Sequence, residues 1–198
     1  MAPIELVLTK QDHQTAEGFL RPFKPISDII SWYTDWFPLK YDLASNRLYE
    51  DSHWNVPKIW EQYDGTNGNK TLILEAEGRI QGFICIRFDH TCHNGKSGVY
   101  VPFLSSAPWN RKFTKNDHRE FRNIGAILMA TAAIKGYKDK SVTRMELHSL
   151  PSAENFYEKI GMAKTGNKKN GMNEFYMGAQ AYVKLVRSCK RFFRLTAV

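Results

Sequence analysis

One segment of the sequence combines the residue types that bind a phosphate group. Residues 119–129 place two arginines and an asparagine ahead of Gly125 and an apolar helix. The first amide N–H groups of a helix have no partner within it, and the helix dipole adds positive potential there. The residues predicted to supply charge around this anion site are Arg119, Arg122, Lys112 and Lys115. The alternative is a glycine that only packs a helix against a sheet.

A second segment, residues 147–162, carries groups that can move a proton. His148 ends a predicted strand, and Tyr157 lies on a short helix. A histidine titrates near neutrality, so His148 is the first candidate for a general base, with Tyr100 and Glu146 as weaker candidates. The phenol of Tyr157 is a candidate proton donor. The alternatives are a histidine packed at a strand end and a half-buried aromatic ring.

The string Asp-His-Thr-Cys-His over residues 89–93 contains several side chains that bind metals. Ligands this close along the chain cannot all converge on one ion, and no second Cys/His pair follows at the spacing of a zinc site. The string is therefore predicted to be a polar loop between strands, and no metal site is expected.

The spacing of apolar residues predicts the elements that must position these groups. Helices are predicted over residues 27–37, 57–63, 120–137 and 152–160, and strands over residues 71–76, 80–88, 99–104, 142–147 and 174–177. The first two strands form a hairpin that turns at Gly78. The order β-β-β-α-β-α-β indicates an α/β (α+β) fold in which helices cover both faces of a mixed sheet.

Three regions are expected within one compact domain. Residues 1–65 form an aromatic-rich helical segment that packs on the core, and a turn-rich break over residues 64–69 separates it from the core at residues 66–178. Residues 179–198 form a basic amphipathic helix. Packing of its apolar stripe on the domain is the first interpretation, and contact of residues 184–194 with RNA or an anionic surface is the alternative.

The composition is that of a soluble globular protein with surplus positive charge. Of the 198 residues, 42% are hydrophobic and 24% are charged, and the net charge is +8. No apolar run reaches the roughly 20 residues of a membrane helix, and no secretory signal is recognised at the beginning. Three scattered cysteines are typical of a reducing cytoplasm rather than of a disulfide scaffold. The charge predicts an anionic partner without naming it.

Together the two segments resemble the GNAT superfamily of acyl-CoA-dependent N-acyltransferases. In that family a glycine loop after the fourth strand cradles the coenzyme A pyrophosphate, and an Ala-x-x-(Phe/Leu)-Tyr-x-x-x-Gly-(Phe/Met) helix presents a tyrosine to the sulfur. The residues that match this helix in register are Ala153, Phe156, Tyr157, Gly161 and Met162. Residues 103–110, Phe-Leu-Ser-Ser-Ala-Pro-Trp-Asn, resemble a bacterial branch of the family. The resemblance covers about residues 54–178 and implies a mostly antiparallel central sheet.

The sequence departs from the family pattern at several positions. Asn123 stands where the loop usually has its first glycine, although asparagine tolerates unusual backbone angles. Glu120 holds the usual place of an arginine or glutamine, and Leu150 holds that of an asparagine which bonds the cofactor. Ser105 replaces an acidic residue expected at the end of the third strand in that branch. The resemblance therefore leaves the general base to be identified.

The resemblance implies an acetyl-CoA-dependent N-acetyltransferase in which an amine attacks the thioester directly within a ternary complex. Backbone N–H groups near Leu104 and Ser105 would stabilise the oxyanion, and Tyr157 would protonate the departing thiolate. His148 would act as the base. The implied cofactor-binding residues are Leu104, Ser105, Arg119, Arg122, Asn123, Ile124, Gly125, Ala126 and Ser152.

The acceptor amine stays open among a small molecule, a protein lysine and an aminoacyl-tRNA. The positive charge of the chain argues mildly against a polycationic acceptor such as a polyamine. A monomer and a homodimer are both open, and no integral membrane association is expected. The alternative function is a catalytically inactive acyl-CoA-binding or nucleic-acid-binding module on the same fold.

Overall fold

The centre of the protein is an eight-stranded sheet, seen in a computed structural model that describes residues 3–39, 50–66, 68–111, 119–140 and 142–194. Its strands are β1 (Ile4–Thr9), β2 (Thr15–Pro22), β3 (Asn69–Ala76), β4 (Arg79–Thr91), β5 (Ser97–Ser106), β6 (Met145–Ser149), β7 (Ala163–Lys169) and β8 (Met172–Met177). Their order across the sheet is β1-β2-β3-β4-β5-β6-β8-β7. Neighbouring strands are antiparallel except for β5 and β6. The predicted mixed, mostly antiparallel sheet is confirmed.

Alternation along β3 shows why both faces of the sheet are covered. Leu72 and Leu74 belong to one apolar core, whereas Ile73 between them belongs to a second core. Successive side chains of a strand project to opposite faces, so a strand that is buried on both sides is apolar throughout. The sheet therefore needs a layer of side chains from other elements on each face.

Helices supply the two layers. The principal helices of the described residues are α1 (Pro25–Ser31), α2 (Val56–Tyr63), α3 (Ile124–Lys140), α4 (Glu154–Lys159) and α5 (Ala179–Cys189). Residues of α3, α4 and α5 share the core of Leu72 and Leu74, and residues of α1 and α2 pack around Ile73. The start of α3 lies directly on the sheet, because a Cβ at Gly82 of β4 would be 2.8 Å from Ile124 Cγ2.

The second layer is built from the aromatic residues that precede α2. A π-helical turn, Trp32–Trp36, follows α1 and buries both of its tryptophans. The indole N–H of Trp36 donates to the carbonyl of Ile80 at 3.0 Å, and its ring lies 6.2 Å from that of Phe83. The π-helical turn thus packs on the sheet through Trp36. Two further aromatic residues of the N-terminal segment, Tyr41 and Tyr49, lie outside the described residues.

The structure corrects the prediction in three places. Residues 4–22, within the segment predicted as helical, form the β1–β2 hairpin that extends the sheet. The predicted strands also lacked β7, whose residues are mostly exposed and therefore show no apolar alternation. Finally, α3 begins at Ile124 rather than at residue 120, because Phe121 forms a β-bridge with Lys10 after β1.

The apolar stripe of α5 is covered by its own domain. Tyr182, Leu185 and Cys189 are buried in the core that also contains α3. The Tyr182 hydroxyl donates a hydrogen bond to the carbonyl of Ala133 on α3. This arrangement corresponds to the packing interpretation of the helix, which ends at Cys189 rather than continuing to residue 198. Within the described ranges, no helix has both the length and the apolar character needed to cross a membrane.

Candidate active site

Strands β5 and β6 diverge and leave a cavity beside them. The described residues pair in parallel only at Val99 and Tyr100 of β5, opposite Met145 and Glu146 of β6. The register between β4 and β5 also shifts directly after Tyr100, which marks an irregularity of the bulge type. A bulge bends its strand and interrupts regular pairing. The cavity beyond this point has a volume of about 510 Å³.

Tyr157 lies in the wall of this cavity, on α4. Its side chain is buried, and its ring packs 5.9 Å from that of Phe175. Burial, helped by the negative charge of Asp51, raises the pKa of Tyr157 above its ordinary value. The hydroxyl therefore keeps its proton at neutral pH. A buried, protonated phenol can donate a hydrogen bond to a sulfur and then its proton.

His148 of β6 lines the same cavity. Burial lowers the pKa of His148 below its ordinary value, so the imidazole is neutral at neutral pH. Its Nδ1 lies 2.8 Å from the Tyr100 hydroxyl. When Nδ1–H donates to the oxygen of Tyr100, Nε2 holds the free lone pair that a base needs. Burial raises the pKa of Tyr100, so Tyr100 orients His148 and keeps its own proton.

The cavity wall also contains a carboxylate, that of Asp51, which the sequence analysis did not assign to the site. Asp51, ahead of α2, is buried and accepts a hydrogen bond from the Ser105 hydroxyl at 2.9 Å. Both terminal nitrogens of Arg111 bond the same carboxylate, at 2.7 and 2.6 Å. Ser105 stands where the resemblance led us to expect an acid. The structure supplies a carboxylate there from a residue 54 positions earlier, a separation that leaves no spacing signal.

The other residues predicted around the thioester also lie in the cavity wall. Leu104 and Ser105 pair with β4 and line the cavity as well. Ser152 lines it too, but its N–H and hydroxyl both donate to the carboxylate of Glu50, at 2.9 and 2.8 Å. The donors of Ser152 that were assigned to the cofactor are therefore bonded within the chain.

The predicted anion site lies at the N-terminus of α3. Asn123 has a φ of 64°, in the left-handed region, and its carbonyl accepts a hydrogen bond from Ile127 N–H at 2.9 Å. The amides of Ile124, Gly125 and Ala126 precede this first helical bond, so they are the groups that a helix offers to an anion. Asn123 thus forms the turn that the family pattern assigns to glycine.

The two predicted arginines are placed differently around this helix end. Arg122, Asn123 and Arg191 line one cavity of about 460 Å³. Arg119 lines a separate depression with Glu120. Of the two predicted arginines, Arg122 therefore shares a cavity with Asn123, the residue before α3. The two lysines expected to add charge lie outside the described residues: Lys112 and Lys115.

The string over residues 89–93 is not a simple polar loop. β4 extends to Thr91 and includes His90, and a turn with Cys92 and His93 follows. The rings of both histidines contact the carboxylate of Glu146 on β6. The string alone does not supply this cluster, because Glu146 comes from β6, more than 50 residues away, where local spacing gives no signal. Glu146 itself, a weaker candidate for the base, is bonded in this cluster.

No protein-family model and no curated protein matches the sequence. Solved structures do match the fold. A chimera of the spermidine N-acetyltransferase SpeG from Vibrio cholerae and hSSAT has a TM-score of 0.55 at 15% identity, over 84% of this chain and 98% of that one. The GNAT domain of S. lividans PAT gives 0.56 at 12%, over 88% and 96%. AtaTR bound with AcCoA gives 0.56 at 12%, over 85% and 97%. This chain therefore has the fold of the GNAT acetyltransferases.

Proposed function

We propose that this chain is an N-acetyltransferase that moves the acetyl group of acetyl-CoA to an amine. The observation that carries the proposal is the cavity beside the diverging strands β5 and β6, whose wall contains both Tyr157 and His148. A proton donor and a proton acceptor in one cavity are what aminolysis of a thioester needs. A solved structure with the same fold, AtaTR, is bound with AcCoA.

The start of α3 is proposed to hold the coenzyme's pyrophosphate. Its amide groups precede the first helical bond, and Arg122 and Arg191 border the same cavity as Asn123. Phe156, next to Tyr157 on α4, packs against Gly125, where a Cβ would be 3.0 Å from its ring. The anion site and the proton donor are therefore connected by a direct contact between their helices.

We assign one proton transfer to His148 and the other to Tyr157. An alkyl ammonium has a pKa of about 10, so Nε2 of His148 takes one of its protons before the nitrogen attacks. As the C–N bond forms, backbone N–H groups near Leu104 and Ser105 stabilise the oxyanion. When the C–S bond breaks, Tyr157 gives its proton to the sulfur and regains one from the attacking nitrogen. The products are an amide, a thiol and the proton on His148.

The charges at the cavity favour an acceptor that is not a polyamine. Asp51 is bonded to Arg111, and Glu50 is bonded to Ser152. Neither carboxylate is therefore available to hold the second cationic centre of an extended polyamine without losing an existing partner. The indole of Trp54 also lines the cavity. We propose a single primary amine on an acceptor with an apolar or aromatic neighbouring group.

The experiment that tests the function has two stages. Calorimetry with coenzyme A and the pure protein should record 1:1 binding. A panel of small primary amines, lysine peptides and aminoacyl-tRNA is then offered with acetyl-CoA, and thiol release is measured. We expect Tyr157→Phe to lower kcat by roughly 10²–10⁴-fold while the Kd for coenzyme A changes little.

Tyr137→Phe, at an exposed position of α3, is the matched control and should retain full turnover. Absence of heat with coenzyme A would contradict the proposal at its first stage. Binding without thiol release for any acceptor would instead support the catalytically inactive module. Equal turnover in Tyr157→Phe would remove the proton-donor role and leave the rest intact.

A further inference from the structure

A second group of chemistry-bearing side chains lies outside the cavity, where the β4–β5 hairpin meets β6. His90 comes from the end of β4, and Cys92 and His93 come from the turn that follows. Glu146 comes from β6, at the pair with Tyr100 where the parallel pairing ends. The residues therefore come from two separate parts of the chain that the sheet brings together.

The ligand atoms of three of these residues converge. One ring nitrogen of His90, the sulfur of Cys92 and one carboxylate oxygen of Glu146 all lie within 4.8 Å of one another. Of these atoms, His90 Nε2 and Glu146 Oε2 lie 2.8 Å apart. Cys92 is 4% exposed and Glu146 is 1% exposed, so a thiol and a carboxylate are buried together. Burial of a carboxylate is costly unless it is paired or binds a metal.

The backbone holds the sulfur in place. The N–H of Cys92 donates to the carbonyl of Lys96, and its carbonyl accepts from the N–H of Gly95, both at 2.8 Å. On the facing strand, a Cβ at Gly98 would collide with Cys92 Sγ. A glycine at this position leaves the space that the sulfur occupies. The turn and the facing glycine thus fix Cys92 toward the other two ligands.

We propose that His90, Cys92 and Glu146 form a binding site for a divalent transition-metal ion of the zinc type. One imidazole nitrogen, one thiolate and one carboxylate oxygen are ligands that zinc takes, at bond lengths of about 2.0–2.3 Å. A tetrahedral ion with such bonds spaces its ligand atoms roughly 3.3–3.8 Å apart. The three ligand atoms lie within 4.8 Å of one another, and His90 Nε2 lies 2.8 Å from Glu146 Oε2, so small side-chain rotations bring them to that spacing.

His93 is the positioning residue of this site. Its backbone N–H donates to Glu146 Oε1 at 2.9 Å, and its ring nitrogen Nδ1 contacts the same oxygen. The other carboxylate oxygen, Oε2, is the one beside His90. A hydrogen bond to the free oxygen of a metal-binding carboxylate orients the ligand. Binding of the ion displaces the thiol proton of Cys92 and any proton shared by His90 and Glu146.

The ion would join the β4–β5 hairpin to β6 just before β5 and β6 diverge. Tyr100 pairs with Glu146 across these strands, its ring lies 4.9 Å from that of His90, and its hydroxyl contacts His148. The metal site therefore supports the strands beside the cavity and takes no part in the reaction. It does not depend on the proposed acetyl transfer. A protein that binds no coenzyme A can still bind the metal.

Cobalt substitution tests the proposal directly. The tag-free protein is reduced, stripped of metal with a chelator and titrated with Co²⁺. We expect one equivalent to produce the thiolate-to-cobalt charge-transfer band and the visible bands of a tetrahedral site, and one equivalent of Zn²⁺ to remove them. Elemental analysis of the protein before stripping should show bound metal. Absence of these bands together with absence of Zn²⁺ binding by calorimetry would overturn the proposal and leave a purely hydrogen-bonded cluster.

Variants identify the ligands. Cys92→Ser should abolish the charge-transfer band, and His93→Ala should weaken Zn²⁺ binding by roughly 10–100-fold, as loss of an orienting partner does. Cys189→Ser, a buried cysteine on α5, is the matched control and should keep the band. A band that persists in Cys92→Ser would contradict the assignment. If Cys92→Ser does not fold, the cobalt spectrum of the unaltered chain decides the matter.

Discussion

The ring of Phe156 occupies the space that a side chain at Gly125 would need. A Cβ built on Gly125 would lie 3.0 Å from Phe156 Cζ and 3.3 Å from Cε2. Gly125 is in the first turn of α3, at the proposed anion site, and Phe156 precedes Tyr157 on α4. The contact therefore sets the spacing between the proposed pyrophosphate site and the proposed proton donor.

Gly125→Ala should lower turnover strongly, while the free energy of unfolding falls only modestly. Alanine is favoured over glycine in a helix by up to about 1 kcal/mol, whereas forcing extra volume into a packed contact costs about 1–3 kcal/mol. These effects oppose each other, so we expect the free energy of unfolding to fall by no more than about 2 kcal/mol. Because Phe156 must move, Tyr157 moves with it, and kcat should fall at least about tenfold. Urea unfolding and thiol release measure the two quantities.

The contact also predicts a rescue. Phe156→Leu shortens the side chain that faces Gly125, so the double variant Gly125→Ala/Phe156→Leu should recover turnover relative to Gly125→Ala alone. Residues in contact show such non-additivity, whereas independent sites do not. Additive losses in the double variant would show that Gly125 acts through the coenzyme rather than through Phe156.

Stability at high pH should depend on Tyr157. Burial raises the pKa of Tyr157 above its ordinary value of 10.0 in the folded protein. A raised folded-state pKa gives a contribution that is complete below the unfolded value and is lost as pH rises beyond it. Above about pH 10, the free energy of unfolding should therefore fall by up to about 1.4 kcal/mol per pH unit for each such tyrosine.

Burial also raises the pKa of Tyr100 and of Tyr182, so three tyrosines contribute to this slope. Tyr157→Phe should remove one of the three contributions, whereas Tyr137→Phe, at an exposed position, should leave the slope equal to that of the parent protein. Urea unfolding at several pH values on either side of about pH 10 gives the slopes. Equal slopes for Tyr157→Phe and the parent would mean that Tyr157 reaches solvent in the folded state.

Local patterns in the sequence predicted most of the fold. The continuous apolar run of β3, the Glu77-Gly78 turn and the stripe of α5 each carry their own signal, and the structure has each element. β7 could not be found in this way, because an edge strand with exposed polar residues has no apolar face. The apolar spacing over Trp32–Trp36 predicts a helix but does not distinguish a π-helical turn from an α-helix.

The candidate site was predictable where its residues share a segment. Asn123 and Gly125 belong to one helix start, and His148 and Tyr157 belong to one strand–helix unit. Asp51 could not be placed, because its contact with Ser105 depends on how the aromatic layer packs over the sheet. The contacts of Glu146 could not be predicted either, because they depend on the register between β5 and β6.

Removing one partner of the Asp51–Arg111 ion pair should lower the free energy of unfolding more than removing both partners. Asp51→Asn leaves the half-buried guanidinium of Arg111 without its carboxylate, and loss of one partner of a fully buried ion pair costs about 3–5 kcal/mol, which is the upper bound here. The double variant Asp51→Asn/Arg111→Gln removes both charges and should recover a large part of that loss. Chemical unfolding of the single and double variants measures the coupling. A single variant within about 0.5 kcal/mol of the parent would show that the pair is exposed.

Asn123→Ala should destabilise the protein and weaken coenzyme A binding together. Asn123 has a φ of 64°, and the left-handed region costs an ordinary residue roughly 1–2 kcal/mol. If the turn relaxes, the amides of Ile124 and Gly125 turn away from the anion, and each 1.4 kcal/mol lost there is about a tenfold rise in Kd. Asn123→Gly should keep both properties, because glycine adopts this φ without strain.

Asn170 provides the matched control for Asn123. It has a φ of 51° and precedes Gly171 in the turn between β7 and β8, away from the start of α3. Asn170→Ala should therefore lower the free energy of unfolding by a similar amount, roughly 1 kcal/mol, and leave the Kd for coenzyme A unchanged. Urea unfolding and calorimetry on the three variants separate backbone strain from ligand contact. If Asn170→Ala weakens coenzyme A binding as much as Asn123→Ala does, the effect at Asn123 comes from general destabilisation and the anion site lies elsewhere.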